Sequence, residues 1–183
     1  MKISSFAVYR VKPRWIFIKL VTDEGIEGWG EMISGTKTET VVAGATELAQ
    51  TLIGRDPFAI ETLWQELYNS FFRGGPINAT IVSGIETALW DIKGKALNVP
   101  IYELLGGRAR DCIKVYSWIG GDRPDDVVRE ALDRKNRGFD AVKMNATEEL
   151  HYIDSYEKVQ AVVDRVASIR KEMGAGFGIA VDF

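Results

Sequence analysis

The stretch after Gly106-Gly107 constrains this chain most, because it alternates strand and helix. Residues 113–118 read as a strand. Pro124-Asp125 opens a helix running to about Arg137, and Gly138 ends it. Residues 139–144 read as a second strand, 155–173 as a second helix and 177–182 as a third strand. This β-α-β-α-β order requires parallel strands joined by right-handed crossovers. Three parallel strands neither close a barrel nor protect both edges of a sheet. The sequence therefore reads as cut, the opening of a larger α/β body.

The preceding residues follow a different pattern. Residues 3–10, 15–21 and 26–31 are rich in β-formers, and Thr22-Asp23-Glu24-Gly25 is turn chemistry. A connection that short implies antiparallel strands, here a three-stranded meander. Three helices are expected next. Residues 38–53 carry Val41, Ala45, Leu48 and Leu52 on one face, with Thr38 as the cap. Asp56-Pro57 starts the second, with Ile60, Leu63, Trp64, Leu67 and Phe71 as its stripe. Arg73-Gly74-Gly75-Pro76 breaks it. The third spans 78–97 and buries Ile81, Val82, Ile85, Leu89 and Ile92. Trp15, Trp29, Trp64 and Trp90 fall in periodic segments and read as core. Cys112 reads as a small buried residue. The Glu/Lys/Arg-rich faces of the later helices read as solvated surface. The expected domains are 1–110 and 111–183.

Composition removes several functional classes. Lys+Arg (23) nearly balance Asp+Glu (26), so there is no basic surplus to drive nucleic-acid binding. One Cys and one His, His151, exclude a disulfide within the chain and a multi-His zinc site made from it alone. His151 lies in a polar stretch and reads as a solvated loop residue. No apolar run approaches the ~20 residues of a membrane span. The expectation is a soluble, cytoplasmic protein with no membrane partner.

In parallel α/β folds chemistry sits at the carboxyl ends of the strands. That rule selects residues 117–122, 143–145 and 182. Lys143 and Asn145 are two apart and share a side of their strand. Asp182 ends the third strand, where a carboxylate suits a hard cation such as Mg²⁺. From position alone, each more readily marks the place where the chain leaves the core. Gly120-Gly121-Asp122 lacks the dinucleotide fingerprint, and no phosphate-loop motif occurs. It reads as a tight turn into a helix.

Several strings resemble known proteins. Thr-Asp-Glu-Gly-Ile-Glu-Gly-Trp-Gly-Glu at 22–31 resembles the capping-domain hairpin of the enolase superfamily. Ala88-Leu-Trp-Asp-Ile-Lys-Gly-Lys, with Pro100 and Leu104-Leu-Gly-Gly, resembles its mandelate racemase/muconate lactonizing branch. Pro13-Arg-Trp, Phe72-Arg-Gly-Gly-Pro and Tyr116-Ser-Trp-Ile-Gly-Gly-Asp-Arg-Pro resemble the D-galactonate dehydratases of that branch.

The resemblance implies an α+β capping domain followed by the first βαβαβ units of a TIM-type (β/α) barrel, truncated. It implies a Mg²⁺-dependent sugar-acid dehydratase, a carbon–oxygen lyase that removes a proton beside a carboxylate, stabilises the enediolate and expels water. Asp182 matches the first Mg²⁺ ligand. Lys143 and Asn145 match the substrate-binding pair at the end of the second strand, and Lys143 would contact the substrate carboxylate or the developing enediolate. The second position is Lys in many racemases; Asn145 cannot serve as a base. Arg14, Trp15 and Arg73 fall on loops expected to close over the substrate. Two further acidic ligands, a His and a His–Asp pair are not in this sequence, so no catalytic set is complete and the chain as given is expected to be inactive. A racemase or epimerase, another acid-sugar dehydratase, or a non-catalytic remnant acting as an interaction module are the alternatives. Assembly as a homo-oligomer is also implied.

Overall fold

The computed structural model describes residues 1–33, 35–70, 74–121, 123–146, 153 and 155–182. They form two compact units, Met1–Ala109 and Arg110–Phe183.

The first unit begins with an antiparallel sheet of β1 (Ile3–Val11), β2 (Trp15–Thr22) and β3 (Glu27–Glu31), in that order. Alternation on β2 sends Ile16, Ile18 and Leu20 to a fully buried face and Trp15, Phe17 and Lys19 to the other. The register pairs Ile18 with Val8 on β1 and with Gly30 on β3. The helices α1 (Thr38–Gln50), α2 (Ile60–Asn69), α3 (Gly75–Leu97) and the short α4 (Ile101–Leu104) follow. Val41, Ala45 and Leu48 of α1, Leu63 of α2 and Ile81, Ile85, Leu89 and Ile92 of α3 share one core with the sheet. Each large side chain so buried is worth roughly 1.5–3 kcal/mol, which exceeds what helix propensity alone supplies.

Contact between α3 and the sheet is unusually close. A Cβ at Gly28 would lie 2.1 Å from the Ala88 carbonyl oxygen, and one at Gly30 would lie 1.8 Å from that of Gly84. Only hydrogen fits on the inward side of β3. The strand edge is held by the same helix. Asp91 accepts the Trp29 N–H at 2.9 Å and the Lys95 ammonium at 2.7 Å, and Lys95 also donates to the Glu27 carbonyl at 2.8 Å. Edge groups that could recruit another strand are thereby occupied.

Several expectations need correction here. Thr38 is the first helical residue, not a cap, and the cap position is Lys37. α3 begins at Gly75, three residues earlier than expected, because a proline in the first turn loses no helical hydrogen bond. Trp15 and Trp29 are not core. Both stand on the outer face of the sheet, where Trp29 stacks on Tyr9 at 5.3 Å between ring centroids. Trp64 and Trp90 are only partly buried against the core.

The second unit contains β4 (Ser117–Trp118), α5 (Pro124–Asn136), β5 (Ala141–Asn145), α6 (Tyr156–Met173) and β6 (Gly178–Asp182). Its strands are parallel in the order β4-β5-β6. This is the βαβαβ arrangement with which a (β/α) barrel opens. Val142 and Met144 pack with Val127 and Ala131 of α5 and Ile169 and Met173 of α6. The expected strand at 113–118 shrinks to two residues. Ser117 pairs with Val142, so residues 113–115 lie beyond Ala141, the start of β5, and have no ladder to join. Ile113 and Val115 are accordingly exposed, and so is Cys112, contrary to the buried expectation. No helix among the described residues is long and apolar enough to cross a membrane.

Candidate functional site

The carboxyl ends of β5 and β6 bring three of the expected residues onto one face. Val142 and Met144 turn toward the helices, so Lys143 and Asn145 turn the other way. Parallel register sets Lys143 beside Ala180 and Asn145 beside Asp182. Trp118 stands beside Lys143 on the neighbouring strand. Ala180 adds only a methyl group to this face, and the polar side chains stand clear of it.

Lys143 Nζ lies 2.6 Å from Asp182 Oδ2. The hydrogen bond it donates to that carboxylate holds the Lys143 ammonium above its ordinary pKa, with the Asp182 charge adding to the effect and partial desolvation opposing it. Asp182 is well exposed, which leaves its second oxygen accessible. Its backbone carbonyl accepts the Ala146 N–H at 2.7 Å, fixing the end of β6 to the turn that follows β5. The arrangement offers a fixed ammonium, a neutral amide and one carboxylate on a single solvent-facing surface.

A magnesium site built from this face would draw on Asp182 alone. Among the described residues no three His, Cys, Asp or Glu side chains stand close enough to hold a metal. One hard carboxylate oxygen suits Mg²⁺, which is often held by one or two carboxylates with water and substrate completing the shell. Asp182 therefore fits as one ligand of such an ion.

The other expected site residues belong to the first unit. Arg14 is an exposed residue of the turn between β1 and β2. Trp15 is not on a loop, as was expected; it is the first residue of β2 and pairs with Val11. Arg73 lies outside the described residues, as does His151.

Residues 3–106 match the family model described as the mandelate racemase / muconate lactonizing enzyme, N-terminal domain. The chain belongs to this family. It is 50% identical over its whole length to the D-galactonate dehydratase of Variovorax paradoxus (strain S110), of which it covers 48%. A solved member of the enolase superfamily from Salmonella Typhimurium is 31% identical, with a TM-score of 0.87 over 97% of this chain and 53% of that one. An enolase from Agrobacterium radiobacter, solved with Na and L-malate bound, is 32% identical with a TM-score of 0.85, over 100% of this chain and 48% of that one. The chain thus spans about half the length of the curated relatives it matches.

One residue behind this face escaped the sequence. Arg165 of α6 is only 5% exposed. Its Nη1 donates to the Ala146 carbonyl at 2.9 Å, and its Nη2 donates to the Gly121 carbonyl. The charged faces of the later helices were read as solvated, and for Arg165 that reading fails. The available signal was spacing: Arg165, Ile169 and Met173 recur every four residues, and all three are buried.

Proposed function

We propose that this chain supplies the capping unit and the first strand-end groups of a Mg²⁺-dependent sugar-acid dehydratase acting on D-galactonate. The observation that carries the reading is the convergence of Lys143, Asn145 and Asp182 on one strand-end face. The 50% identity to a D-galactonate dehydratase over the full chain supports this choice of substrate.

A proton beside a carboxylate is very weakly acidic, so negative charge growing on the carboxylate oxygens must be met by fixed positive groups. Mg²⁺ bound at Asp182 supplies such charge. The Lys143 ammonium supplies more. It donates to a substrate carboxylate oxygen, and its contact with Asp182 fixes where it stands before substrate arrives. Asn145 donates or accepts a hydrogen bond but takes no proton at neutral pH, which argues against a base at this strand and thus against a lysine-based racemase. A general acid then assists departure of hydroxide from the neighbouring carbon. Arg14, Trp15 and Arg73 are proposed to contact the sugar acid. We place the protein in the cytoplasm as a homo-oligomer with no nucleic-acid or membrane partner.

The test is an assay with D-galactonate and Mg²⁺. A chain extended to the relatives' length should form a 2-keto-3-deoxy acid, and Asp182→Asn should abolish the reaction and weaken Mg²⁺ binding by calorimetry. The 183-residue polypeptide alone should show no turnover, because groups that act as a unit are not replaceable by one member. An epimerised sugar acid in place of the keto acid would overturn the reading.

A further inference from the structure

We propose that Arg165 is a positioning residue that locks the turns after β4 and β5 together and thereby fixes Asp182. This rests on the reading that Asp182 and Lys143 carry the site.

The guanidinium bridges two carbonyls from different strand ends, Gly121 beyond β4 and Ala146 just past β5. Ala146 in turn donates its N–H to the Asp182 carbonyl at 2.7 Å. One side chain therefore reaches all three strand ends, twice directly and once through a single peptide. Gly121 adopts φ 123°, a conformation open to glycine and poorly to other residues, and a Cβ there would meet Asp126.

Stability alone gives little reason for this residue. Burying a guanidinium is costly, and an apolar side chain of similar volume often packs as well or better. Both observed acceptors are neutral carbonyls, and Nε has no partner among the described residues. What arginine adds over an apolar residue is a rigid planar fork of donors, which sets the spacing of two carbonyls. That function matters where turns must be held for chemistry rather than merely packed.

The experiment is amide hydrogen exchange on the chain with Arg165→Met and Arg165→Lys. Exchange at Ala146 should accelerate tenfold or more in Arg165→Met, while Ala131 and Ile169 in the helices stay protected. Arg165→Lys should restore Ala146 in part, because an ammonium on a flexible stem keeps a donor but lacks the planar fork that fixes the spacing of the two carbonyls. Unchanged Ala146 exchange in a folded variant would overturn the proposal, and so would acceleration in step with Ala131, which marks general loosening. If Arg165→Met fails to fold, Arg165→Lys decides by the same comparison. Neither substrate nor metal enters this measurement, so failure of the dehydratase reading is detected separately, by the D-galactonate assay.

Discussion

Lys143 and Asp182 sit on adjacent parallel strands, offset by two residues in register, and their side chains meet at 2.6 Å. The lysine reaches along its strand toward the carboxyl end, so its ammonium and the carboxylate occupy the same level of the site. Replacing Asp182 with Asn removes the charge and weakens the hydrogen bond that together raise the Lys143 pKa. The Lys143 pKa should then fall toward its ordinary value, read by NMR titration of the lysine side chain. A raised pKa contributes stability that is fully present below the ordinary lysine value and is lost as pH rises through the folded one. The contribution should therefore vanish only in strongly alkaline solution, and neutral-pH stability should be little changed because the pair is solvent-screened.

Gly30→Ala should destabilise the first unit by about 3 kcal/mol or more. Its Cβ would fall 1.8 Å from the Gly84 carbonyl oxygen, and backbone on both sides cannot yield without separating strand from helix. Gly25→Ala is the control: φ 79° strains any side chain, but nothing lies within 4 Å. It should cost only about 1–2 kcal/mol. Urea unfolding of the two variants distinguishes collision from strain.

Asp91→Ala should cost about 1–2 kcal/mol, because it strips an acceptor from the Trp29 N–H and from Lys95 together. Asp91→Asn keeps one acceptor oxygen and should lose roughly half as much. Faster exchange of the Trp29 amide in the alanine variant, with Ile18 unaffected, would locate the effect at the sheet edge.

Leu89→Ala should cost about 2–5 kcal/mol. Leu89 is fully buried on α3 in the core shared by the sheet and the helices, so the cavity has walls on several sides and little freedom to collapse. Thermal unfolding measures it, and a cost below about 1 kcal/mol would mean that the core repacks.

The periodicity of the sequence determined most of the elements: Ile81, Ile85, Leu89 and Ile92 at helical spacing required a buried face that the structure supplies. Strand–helix alternation after Gly107 likewise settled parallel pairing, and the strand-end rule selected Lys143, Asn145 and Asp182 without coordinates. What the tertiary structure decided depends on partners distant in sequence. Residues 113–115 are expected to belong to a strand, yet β5 begins only opposite residue 116, so they have no ladder to join. Trp15 and Trp29 fall in apolar segments but lie on the exposed face of the sheet. Arg165 looks like surface charge until Gly121 and Ala146 are brought to it from 44 and 19 residues away. Local sequence fixes which face of an element is apolar, because that depends on its own spacing. Which neighbour meets that face, and whether a charge there finds acceptors, depends on contacts that exist only once the chain has folded.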